Sequence, residues 1–67
     1  MKPEDFGLNL AKLRISKGIS QYKLSVMLDK DVTYINKIEN GKAFPSVKMV
    51  FEIANALQIE PYEFFKE

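Results

Sequence analysis

The side chains best equipped to hydrogen-bond a ligand fall within one short stretch, Val32 to Asn40. On a helical wheel of about 100° per residue, Val32, Thr33, Asn36, Lys37 and Asn40 gather on one side. Ile35 and Ile38 point the other way and would anchor the rod. The outward set offers amide, hydroxyl and ammonium groups that could reach the edges of nucleic-acid bases. The same set would equally suit a helix face that only meets solvent, so the pattern by itself leaves both readings open.

Other chemistry has little to work with. The chain contains no histidine and no cysteine, which removes the commonest general base, the commonest metal ligand, disulfides and thiolate zinc sites. The serines at 16, 20, 25 and 46 therefore have no histidine to activate them. The glycines at 7, 18 and 41 are too far apart to cradle a phosphate, and the carboxylates are scattered rather than set at metal-ligand spacing. We expect no enzyme, no metal site and no cofactor.

The polar face must be positioned by helices, because no stretch alternates long enough to be a strand. The first stretch runs from Pro3 or Glu4 to Lys17, with Phe6, Leu10 and Leu13 inward and Lys17-Gly18 at its end. Ser20 is a good N-cap for a second helix, Gln21 to Leu28, with Leu24, Met27 and Leu28 inward. Asp31 caps the third, Val32 to Glu39, which ends at Asn40-Gly41. Pro45-Ser46 opens a fourth, whose inward face is read as Val47, Val50, Phe51, Ala54 and Leu57. Pro61 starts a last short turn holding Tyr62, Phe64 and Phe65. Only Asp29-Lys30-Asp31 separates the second and third helices. Two short helices so joined cross steeply, which is the helix-turn-helix arrangement at about residues 20–40.

The length of 67 residues and the absence of linkers or repeats predict one domain spanning 1–67. A hydrophobic share of 46% with net charge +1 indicates a globular chain rather than a disordered one. That small net charge hides a polarity: residues 12–48 carry eight cations against three acids, a net of +5, between acidic ends. A basic middle can offer one positive face to a polyanion, although lysines on helix surfaces also serve simply to solubilise. No apolar run exceeds three residues, so no bilayer crossing is expected. The start, Met1-Lys2-Pro3-Glu4-Asp5, lacks the apolar core of a signal peptide, and a cytoplasmic location is expected.

Glycine-hydrophobic-Ser-Gln at Gly18-Ile19-Ser20-Gln21 is followed by Ile38-Glu39-Asn40-Gly41 and then Pro45-Ser46. With Leu13-Arg14, Leu24, Ile35, Ile53-Ala54 and Glu63-Phe64-Phe65, this pattern resembles the phage Cro/C1-repressor type of helix-turn-helix domain, the XRE family. The resemblance covers about Phe6 to Phe65. It implies an all-α, compact five-helix bundle of the lambda-repressor-like kind and sequence-specific binding of double-stranded DNA. It further implies that Gln21 bonds a phosphate and braces the recognition helix. Val32, Thr33, Asn36 and Lys37 would read bases in the major groove, while Asn40, Lys42 and the backbone at Ala43 grip the sugar-phosphate chain. Arg14 and Glu39 match a family ion pair that ties the first helix to the third. Departures from the family pattern include Lys23, which gives up a capping box, and Asp29 in place of the turn glycine, which must take a positive φ or reshape the turn.

The function expected is a transcriptional regulator, a repressor acting by operator occlusion, since 67 residues leave little room for an effector domain. The Tyr62-Phe65 aromatics either seal the bottom of the core, the reading favoured for Phe64, or offer a surface to a second copy, with at least one of Tyr62 and Phe65 expected to stay partly exposed. The resemblance, with two-fold symmetry, implies a homodimer on a near-palindromic operator. The competing reading is a helical protein-interaction module of the antitoxin or accessory-subunit type, with weak or no DNA binding. It is favoured by the modest charge, the acidic ends and the same aromatics.

Overall fold

Side-chain caps and four left-handed residues, Gly18, Asp29, Gly41 and Gln58, divide the chain into its elements. The computed structural model describes residues 1–67: α1 (Pro3–Ser16), α2 (Gln21–Leu28), α3 (Val32–Glu39), α4 (Val47–Leu57) and a 3-10 turn (Pro61–Phe65). The all-α architecture is as expected, with the fifth stretch a 3-10 turn rather than an α-helix. At the N-terminus, Asp5 accepts from the backbone N–H of Lys2 at 2.8 Å. Ser20 caps α2 by accepting from Lys23 N–H at 3.0 Å, and Ser46 caps α4 by accepting from Met49 N–H at 3.1 Å. Asp29 does take the left-handed conformation, φ 55°, which lets Lys30 N–H close back on Ser25 O at 2.9 Å.

Asp31 caps α3, accepting from Thr33 N–H at 2.8 Å. The backbone N–H of Thr33, then its side chain, hold the Asp31 carboxyl below the usual carboxylate range. A carboxyl depressed on folding contributes stability above its unfolded pKa and loses it as pH falls through the folded one. Melting temperature should therefore drop more steeply on acidification in the native chain than in Asp31→Asn, whose cap does not titrate. Parallel acid profiles for the two proteins would show that this cap does not couple to folding.

Eleven apolar residues form the core, with Phe6, Leu10, Leu24, Ile35, Ile38, Ile53 and Phe64 among those with no exposed surface. Phe6 is the hub of an aromatic cluster: its ring centroid lies 4.9 Å from Phe44, 5.2 Å from Phe64 and 5.4 Å from Phe65. Asn9 on α1 donates to Phe64 O and Lys66 O, both at 2.8 Å, and so ties the C-terminal turn to the first helix.

Three expected inward residues point outward instead. Met27 is exposed, and α2 turns Leu24 and Ser25 to the interior. Ser25 is small enough to let the helices approach, and its hydroxyl donates to Tyr22 O at 2.6 Å, so its burial leaves no polar group unpaired. On α4, Val47 and Phe51 are exposed, while Met49 and Ile53 join Val50, Ala54 and Leu57 in the core. Both Tyr62 and Phe65 are exposed.

Candidate nucleic-acid interface

The third helix is held on two sides. Ile35 and Ile38 are wholly buried between α1 and α2, so the opposite side of α3 faces solvent. Thr33, Asn36, Lys37 and Asn40 are exposed on that side, and Val32 at the first turn is 37% exposed. The face predicted from the wheel is therefore a real surface, and none of the base-reading candidates is occluded by the fold. Beyond the helix, Gly41 N–H bonds Ile38 O at 3.1 Å and Lys42 N–H bonds Lys37 O at 2.9 Å. This closure places Lys42, which is exposed, just past the end of the helix that carries Lys37.

An ion pair fixes the angle at which that face is presented. Arg14 Nε donates to Glu39 Oε2 at 2.7 Å and Nη2 to Oε1 at 3.1 Å, the two-pronged geometry of guanidinium and carboxylate. A third donor, Nη1, bonds Ile19 O at 2.7 Å in the turn between α1 and α2. One side chain thus joins α1, the entry to α2 and the end of α3. The two side chains are only 11% and 7% exposed, so water screens the pair little.

Gln21, at the first position of α2, is half-buried and bonds protein rather than standing free. Its Nε2 donates to Glu39 Oε1 at 2.9 Å, and its Oε1 faces Asn36 Nδ2 at 3.5 Å. Asn40 Nδ2 in turn donates to Asn36 Oδ1 at 3.1 Å. The Asn36–Asn40 link joins neighbours four apart on one helix face and is legible in the sequence. The partners of Gln21, 18 and 15 residues away, are not, because an amide has no partner preference readable from its type. Tyr34 lies at the edge of the core: burial first, then the carboxylate of Glu52, push its phenol up, so it stays a neutral O–H donor. Lys30 Nζ sits 5.6 Å from that ring, covering it from the turn side.

A second surface lies where the sequence predicts Val47 and Phe51 to face inward. Phe44, Val47, Phe51 and Phe65 are all about half exposed or more, and with Pro45, Val50 and Pro61 they line one apolar groove. The signal that could have found it is the count of apolar residues on α4, too many for one face to bury. No helix is long and apolar enough to cross a membrane.

Comparison with known proteins agrees with this geometry. The family described as Helix-turn-helix matches residues 10–64. An uncharacterized HTH-type transcriptional regulator, y4dJ, of Sinorhizobium fredii is 32% identical over 57 residues, covering 85% of this chain and 74% of that protein. The crystal structure of the restriction-modification controller protein C.AhdI from Aeromonas hydrophila superposes with a TM-score of 0.89 at 36% identity. That superposition covers 94% of this chain and 96% of the controller. With a solvent-facing α3, its buried isoleucine pair and the Arg14–Glu39 brace in place, the chain belongs to the helix-turn-helix family in its Cro/C1-type (XRE) form and is a DNA-binding transcriptional regulator.

Proposed function

We propose that the chain is a repressor that recognises a near-palindromic operator as a homodimer and acts by occluding it. The observation that carries this reading is the division of α3, with Ile35 and Ile38 wholly buried and Thr33, Asn36, Lys37 and Asn40 turned to solvent. Val32, Thr33, Asn36 and Lys37 read base edges: Lys37 donates to guanine O6 and N7, and the methyl groups of Val32 and Thr33 meet thymine methyls. Gln21, Asn40 and Lys42 hold the phosphate backbone and set the register. The apolar groove of Phe44, Val47, Phe51 and Phe65 supports pairing of two copies. Such a pair places its recognition helices about one turn of duplex, roughly 34 Å, apart.

Selection of bound sequences from random duplex DNA tests the whole reading, since a dimer returns a palindrome. Two substitutions then separate base reading from backbone grip. Lys37→Ala should weaken the selected site by about 1–3 kcal/mol and relax one base pair. Lys42→Ala should weaken all sequences alike and shallow the slope of log K against log salt by about one. Identical effects of the two substitutions on every duplex would mean that α3 does not read the groove.

A further inference from the structure

A chain of side-chain contacts leads from the interior to the outward face of α3. It begins at Arg14, passes through Glu39 Oε1 to Gln21 Nε2 at 2.9 Å, and from Gln21 Oε1 to Asn36 Nδ2 at 3.5 Å. It ends where Asn40 Nδ2 donates to Asn36 Oδ1 at 3.1 Å. Arg14 and Glu39 are almost wholly buried, Gln21 is half-buried, and the outer two are exposed.

The chain has a direction. A guanidinium only donates and a carboxylate paired with it only accepts. Gln21 must therefore turn its NH2 group toward Glu39, which leaves its oxygen for Asn36. Asn36 must meet that oxygen with its own NH2 group, and its Oδ1 then faces the NH2 of Asn40. Turning the Asn36 amide over would set oxygen against oxygen at Gln21 and NH2 against NH2 at Asn40. The two orientations of an amide have nearly the same shape, so packing cannot choose between them and hydrogen bonding must.

We propose that Glu39, held by Arg14, is a positioning residue that fixes through Gln21 which side of Asn36 donates and which accepts, and thereby which base Asn36 selects. The proposal rests on the reading of α3 as the base-reading helix. Asn36 keeps one N–H and one lone pair of Oδ1 for a base. Adenine presents the N7 acceptor beside the N6 donor in the major groove, and an amide of fixed polarity matches them in one order only. An amide free to turn over accepts either order and discriminates less.

The test uses Gln21→Met, similar in length but without hydrogen-bonding groups, which leaves the Arg14–Glu39 pair intact. Binding is measured to the selected duplex and to duplexes changed one base pair at a time. Discrimination should fall about five- to tenfold at a single pair, the same pair at which Asn36→Ala removes it. Glu39→Gln, whose amide can face Gln21 either way, should relax that same pair. Losing a phosphate contact lowers affinity for every duplex equally and moves no base preference. A uniform loss in Gln21→Met, with Asn36→Ala still relaxing one pair, overturns the relay and leaves the base-reading helix standing. An Asn36→Ala that relaxes no pair overturns both. Thermal melting of each variant establishes that the folded protein is being assayed, and if Glu39→Gln unfolds, Gln21→Met alone decides.

Discussion

Gly7→Ala should destabilise the protein by about 3 kcal/mol, at or above the upper end for inserting a methyl into a packed site. A Cβ built at Gly7 lies 2.3 Å from Ile38 O, 2.6 Å from Glu39 O and 2.8 Å from Glu39 C. All three are backbone atoms of the last turn of α3, so no side chain can rotate out of the way. The helices must move apart or unfold. A domain of this size has a total stability of roughly 3–10 kcal/mol, so the substitution removes a large share of it. Melting temperature should fall by more than about 12 °C, given about 4–8 °C per kcal/mol for small domains. The close approach recurs one turn further on. Gly41, at φ +75°, lies with its Cβ position 2.8 Å from Glu4 Cα, so α1 is pressed against both the end of α3 and the turn that follows it. Because α1 sets where α3 ends, the variant should also lose affinity for its operator under conditions where it remains folded. A Gly7→Ala protein that melts within a few degrees of the native one would mean that the α1–α3 approach is looser than the structure has it.

That approach illustrates what could and could not be read from the sequence. Caps were legible, because Ser20, Asp31 and Ser46 act on backbone two or three residues away and their chemistry is local. The α3 faces were legible because its two isoleucines stand alone among polar neighbours. The faces of α2 and α4 were not. In α2 the apolar run Val26-Met27-Leu28 covers most of the circumference, and the wheel cannot see that small Ser25 turns inward in place of Met27. In α4 apolar residues occupy two arcs, Val47 and Phe51 on one and Met49 and Ile53 on the other. Which arc is covered depends on how α4 packs against the rest of the bundle, α2 included, and no local pattern specifies that. The outward polar face of α3 needed nothing beyond local periodicity. The contacts of Gln21 with Glu39 and Asn36 depend on the crossing of α2 and α3, which no local pattern specifies.

The Arg14–Glu39 pair lies at that crossing, and its removal should separate stability from recognition. Arg14→Met takes the partner from a carboxylate that is 7% exposed and should cost about 3–5 kcal/mol, the range for breaking a buried pair from one side. Part of that cost is the charge left behind. Removing the charge as well, in Arg14→Met/Glu39→Leu, should recover some of the loss, so that the double variant melts above either single one. Base selectivity should not recover with it, because Gln21 then has no acceptor to orient it and Asn36 is free to turn over. Denaturation of the three proteins, read beside binding to duplexes changed at the Asn36 base pair, gives both quantities. Single variants within about 1 kcal/mol of the native protein would put this pair among the screened surface pairs. A double variant that regains both melting temperature and selectivity would show that the pair serves only to hold the helices together.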